Sequence, residues 1–142
     1  MRDRLMKADQ ECGERLARTL EAGLPAIPLV CLEALTTAYA NDSCATDVFA
    51  QQLFVLGNKD DVFLGITTSG NSANVIAAAV VAKAKGMKVI GLTGPKGGKL
   101  ADIADVCIKA PGEETYKVQE FHLPIYHCLC IMLEDRFFGG IA

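Results

Sequence analysis

A chain of 142 residues, 51% apolar and 22% charged, has the size of one folded domain and too much apolar content to stay disordered. Its 14 Lys+Arg against 17 Asp+Glu leave a net charge of −3, which argues against duplex nucleic acid and against an anionic membrane surface as partners, since both need clustered positive charge. No apolar run approaches the ~20 residues that span a bilayer, so the mean hydropathy of +0.26 points to a buried sheet and to subunit contacts.

The opening MRDRLMKADQ has no apolar core of the kind found in a secretory leader. Residues 3–22 then place Leu5, Ala8, Cys12, Leu16 and Leu20 at helical spacing, which predicts one amphipathic helix stopped at Gly23. The run AIPLVCL (26–32) predicts a short buried strand, with Pro28 placing it near an edge or at a strand end. A short helix over 33–39 should end in Asn41-Asp42-Ser43, and a further helix over 45–56 should stop at Gly57. DDVFLGI (60–66) is continuously apolar after two aspartates, the pattern of a strand buried on both faces. The polar loop TTSGNS (67–72) leads into an Ala/Val-rich helix over 73–85, closed by Gly86.

KVIGLTG (88–94) repeats the sequence of strand and glycine, PKGGKLADIA gives a loop and a short helix, and DVCIKA (105–110) gives a fourth strand. From about Glu114 to Phe138 one long helical pattern contains Pro124. Strands alternating with helices predict an α/β fold: a three-layer α/β/α sandwich around a doubly wound parallel sheet. The six cysteines, at 12, 31, 44, 107, 128 and 130, form no C-x-x-C pair. They suit reduced, buried thiols in a cytoplasmic protein.

Ligands of an open parallel sheet bind beyond the carboxyl ends of its strands. The richest turn there is Thr67–Ser72, with the hydroxyls of Thr67, Thr68, Ser69 and Ser72, a flexible Gly70, and Asn71, directly before a helix. Free N–H groups and the helix dipole at that end favour an anion, and the hydroxyls add donors for phosphate oxygens. The loop lacks the G-K-[ST] of a Walker A motif, and no G-x-G-x-x-G is present. The alternative is that Ser69 or Ser72 only caps the helix. Lys96 and Lys99 in PKGGK read as a solvated loop.

GITTSGNSANVI followed by KGMKVIGLTGPKGGKLADIADV closely resembles the SIS (sugar isomerase) domain family, in its phosphoheptose isomerase branch. GLPAIPLVCLEALTTAYAND and ETYKVQEFHLPIYHCLCIMLEDRFF extend the resemblance over nearly all of the chain from about residue 11. It implies a flavodoxin-like SIS domain that isomerises a phosphosugar, sedoheptulose 7-phosphate to the heptose 7-phosphate. It implies that Thr67, Ser69 and Ser72 hold the phosphate within a loop that also contains Thr68, Gly70 and Asn71. It sets Asp42 near the substrate, and Gln119 and His127 at the catalytic centre, where some members bind zinc and the histidine is a general acid/base.

Proton transfer between C1 and C2 through an enediol suits an imidazole near neutral pH. The two histidines, His122 and His127, differ by about 140° around a helix and so form no paired metal site. His122 reads as a core or interface residue, and Glu120 as part of a solvated or intersubunit face. Gln119 and His127 lie about 12 Å apart along an ideal helix. One substrate would therefore be reached from two copies, which predicts a homo-oligomer (dimer or tetramer) with its site at a subunit interface.

Members of this branch also carry an N-terminal helical pair, a first strand, a G-N-G-G-S turn on the phosphate, and a helix bearing a histidine and the glutamate base. None of these is found in this sequence, so it is expected to be a single SIS domain over 1–142 that is N-terminally incomplete. Two readings follow. One is an isomerase of the phosphoheptose type, its missing segment and catalytic base being supplied from elsewhere; the other is a non-catalytic SIS module that binds a phosphosugar or protein partners in a regulatory role.

Overall fold

The computed structural model describes residues 1–139. Its centre is a three-stranded parallel sheet in the order β1 (Val62–Thr67), β2 (Lys88–Thr93), β3 (Val106–Lys109). Between these strands run α5 (Ala73–Ala84) and α6 (Gly98–Ile103). Sequential strand order with right-handed crossovers puts both helices on one face. Leu100 of α6 and Val75 of α5 accordingly meet over Gly65, and Leu100 also lies against Gly91, its partner in register.

The core forms on that face, where Phe63 and Val89 pack with Ile76, Ala78, Ala79 and Ala82 of α5. Leu53 of α4 (Val48–Leu56) and Met87 close it from the side. Small alanines at successive turns let α5 approach both the sheet and α4. On the opposite face lies the start of α7 (Thr115–Phe138), where Val118 and His122 are the buried residues. The helix continues through Pro124. Helices thus flank the sheet on both sides, as the alternating pattern predicts.

Several local expectations are corrected. The helix expected over 3–22 is two helices, α1 (Arg2–Ala8) and α2 (Gln10–Thr19). The break is at Asp9, whose extended backbone and side chain cap α2 by accepting from the Cys12 N–H at 2.7 Å. The strand expected over 26–32 is irregular and mostly exposed, with a turn in which the Cys31 N–H donates to the Pro28 carbonyl. Pro25 and Pro28 have no N–H to give a ladder. The sheet therefore has three strands among the described residues, not four.

β1 is buried on one face only: Phe63, Gly65 and Thr67 point inward while Val62, Leu64 and Ile66 are exposed. Among the described residues it is an edge strand, and no helix covers its second face. Contrary to expectation, the cysteines are not buried; Cys31, Cys128 and Cys130 are exposed, and Cys12, Cys44 and Cys107 are partly so. The helix expected over 33–39 extends to Asp42 as α3 (Glu33–Asp42), followed by a 3-10 turn at Ala45–Asp47.

Parallel register sets the position of the site. Thr67 pairs with Thr93, and Thr93 with Lys109, so three strands end side by side at one edge. At the opposite edge Asp105 ties two strand starts together. It accepts from the Val89 N–H at 2.8 Å and from Lys83 Nζ at 2.9 Å, and its own N–H donates to the Val89 carbonyl.

Candidate functional site

The hydroxyl-rich loop leaves β1 at the shared carboxyl edge and runs directly into α5. Thr67, buried at the end of the strand, pairs its Oγ1 with Ser72 Oγ at 2.7 Å. One hydroxyl donates to the other, so one proton of the pair stays available to a ligand. Ser69 Oγ accepts from the Asn71 N–H at 3.1 Å, which likewise leaves its own proton free to donate. Thr68 is half-buried and Ser69 exposed.

Ser72 occupies the N-cap of α5, yet its side chain makes no capping bond. Capping therefore does not use up the Ser72 or Ser69 hydroxyls. Ala73 and Asn74, the first residues of α5, have no intrahelical acceptor for their N–H groups. The start of a 12-residue helix thus combines open N–H donors, its positive dipole end and several hydroxyls. That arrangement suits an anion with several oxygens.

A second loop, from Gly94 to Gly97, supports the first. The Gly94 N–H donates to the Thr68 carbonyl and the Leu100 N–H to the Gly70 carbonyl, both at 2.9 Å. The loops meet backbone to backbone, which is why glycine is needed at both sides of the contact. Gly70 has φ +69° and a Cβ there would overlap the Gly97 carbonyl; Gly98 has φ +56° and its Cβ would stand 2.5 Å from the Ser69 carbonyl. Asn71 spans the same junction, Oδ1 accepting from the Lys99 N–H at 2.9 Å and Nδ2 donating to the Ser69 carbonyl at 3.1 Å.

Lys96 and Lys99 are exposed, in keeping with a solvated loop. Sequence reasoning missed Lys109. It ends β3 level with Thr93, and its side chain lies along Gly97, which sets its ammonium beside the second loop. Its place at the carboxyl end of a strand was the available signal. Also at this edge, His122 is buried and its Nε2 lies 3.2 Å from the Thr93 carbonyl. A carbonyl only accepts, so Nε2 carries the proton and donates. This is the core role expected of His122.

The remaining candidates stand apart from the loop. Asp42 is exposed at the end of α3, and its carboxylate accepts from Asn41 Nδ2. Gln119 and His127 are exposed on α7, and His127 has its ring edge-on to Tyr126 at 4.9 Å. Among the described residues no hydrogen bond joins any of these three to the hydroxyl loop. Along a continuous helix Gln119 and His127 are about 12 Å apart, whereas zinc ligands lie about 2.0–2.3 Å from one ion. This pair within one chain does not fit a shared zinc. No cluster of three His, Cys, Asp or Glu able to hold a metal occurs among the described residues.

A family model described as the SIS domain matches residues 13–94. Phosphoheptose isomerase of Aneurinibacillus thermoaerophilus is 43% identical over 116 residues, 82% of this chain and 59% of that protein. Phosphoheptose isomerase of Thiobacillus denitrificans is 47% identical over 120 residues, 82% and 61% of the two chains. The structure of a phosphoheptose isomerase from Francisella tularensis superposes with a TM-score of 0.78 at 40% identity, covering 81% of this chain and 62% of its own. This chain spans about 60% of the length of the relatives it matches.

Proposed function

Because the chain belongs to the SIS domain family, we propose that it binds a sugar phosphate through the Thr67–Ser72 loop and acts as an isomerase of the phosphoheptose type. The substrate in this reading is sedoheptulose 7-phosphate and the product the aldoheptose 7-phosphate. The observation that carries it is the uncapped start of α5, where the loop bearing the free protons of Thr67/Ser72 and Ser69 leads directly into open N–H groups. The identity to phosphoheptose isomerases supports it.

In this mechanism the phosphate is anchored at the loop and the other end of the sugar extends toward the catalytic groups. A carboxylate base contributed by another segment or chain removes a proton from C1 while an acid protonates the C2 carbonyl oxygen, giving an enediol. The reverse transfers then place a proton on C2 and remove one from the C1 oxygen. His127 is the proton carrier at the oxygens, and an imidazole is suited to both directions near neutral pH. Gln119 and Asp42 hold sugar hydroxyls. The separation of Gln119 and His127 along α7 supports a site completed by a second copy, in a homo-oligomer. The exposed apolar side chains of α7, among them Phe121, Leu123, Ile131 and Leu133, give such an association its surface.

The six free cysteines support a reducing compartment, the cytoplasm. No helix among the described residues is long and apolar enough to cross a membrane.

Incubation of the intact oligomer with sedoheptulose 7-phosphate, followed by NMR, tests the proposal. Aldose formation is the expected result. Saturable binding without product would leave a phosphosugar-binding regulatory module, and absence of binding would remove both readings.

A further inference from the structure

We propose that Asn71 is a positioning residue, whose carboxamide latches the hydroxyl loop to the start of α6 and so fixes the loop's shape for phosphate. This rests on the phosphosugar reading above. The amide orientation follows from chemistry: the Lys99 N–H can only donate and the Ser69 carbonyl can only accept. Oδ1 therefore faces Lys99 and Nδ2 faces Ser69. With its oxygen and one N–H committed inside the protein, the side chain acts on the ligand through Ser69.

The latch is placed where it has leverage. It crosses the junction made by the Leu100 N–H on the Gly70 carbonyl and by the Gly94 N–H on the Thr68 carbonyl. Those two bonds hold the residues on either side of Ser69. Gly70 and Gly98 let the two loops meet backbone to backbone beside Ser69, with no room there for a Cβ. Freed from Asn71, the Ser69 peptide can rotate, and its hydroxyl loses the aim that the Asn71 N–H now sets.

Amide hydrogen exchange and sedoheptulose 7-phosphate titration, on wild type and Asn71→Ala, decide the matter together. The alanine variant should speed exchange at the Leu100 and Gly94 amides, which Asn71 does not touch, and should weaken binding about tenfold, the loss of one useful hydrogen bond. Weaker binding with Leu100 still as protected as in wild type would make Asn71 a direct ligand and overturn the proposal. Faster exchange with unchanged affinity would overturn it too. Asn71→Asp keeps the acceptor for Lys99 but sets a carboxylate oxygen against the Ser69 carbonyl, so it should also lose protection at Leu100. Protection and affinity both kept in this variant contradict the latch even if the alanine variant does not fold. If wild type itself binds no sugar phosphate, the functional reading fails and the phosphate role with it, while the exchange data still report whether the latch exists.

Discussion

At the scale of single residues, the proposed mechanism gives the loop hydroxyls and His127 separable tasks. Ser69 has its hydroxyl proton free, and hydrogen bonds to a charged oxygen contribute about 1.5–3 kcal/mol. Ser69→Ala should therefore weaken sedoheptulose 7-phosphate binding by roughly 10- to 100-fold, measured by calorimetric titration, with little change in melting temperature because Ser69 is exposed. His127→Gln should do the opposite. Turnover falls by about 10²–10⁴-fold, the usual worth of a general acid/base, while the substrate still binds. Equal losses of binding and turnover in the His127 variant would remove it from the chemistry. The loop itself was legible in the sequence, because its hydroxyls are contiguous and stand directly before a helix. The Asn71 latch, Lys109 beside Gly97, and the bond from His122 to the Thr93 carbonyl were not. Each joins residues far apart in the chain, and spacing within one element carries no information about them.

At the scale of elements, Asp105 gives a pH signature. The Val89 N–H, then the Lys83 hydrogen bond, hold its carboxyl below the usual carboxylate range against a smaller opposing effect of burial. A lowered folded-state value means the stabilisation is complete above the ordinary range and is lost as pH falls through the lowered one. Thermal melts of wild type and Asp105→Asn should differ at neutral pH and converge in acid; a constant gap would show that the carboxylate charge is not involved. β1, β2, β3 and α5 were legible because apolar runs between glycines are strong signals. The strand expected over 26–32 does not form, since Pro28 within the run and Pro25 just before it lack the donors a ladder requires. Its residues Ile27 and Val30 remain exposed. The break at Asp9 was also missed, because one capping carboxylate outweighed an uninterrupted apolar stripe.

At the scale of the whole molecule, the exposed face of β1 and the apolar side chains along α7 give a physical meaning to the high mean hydropathy. If the site takes Gln119 from one copy and His127 from another, Gln119→Ala and His127→Ala proteins should each be inactive. Mixing them should restore part of the activity, and dilution to monomer should abolish ligand binding. A monomer that binds as tightly as the oligomer would contradict the shared site. The central claim, that a sugar phosphate is isomerised through an enediol, is tested most directly in heavy water. Wild-type protein incubated with sedoheptulose 7-phosphate in D2O should place deuterium on carbon at C1 or C2 and form the aldose, both strongly reduced in His127→Gln. Recovery of unlabelled ketose with no aldose, from an oligomer shown to bind it, would contradict the account.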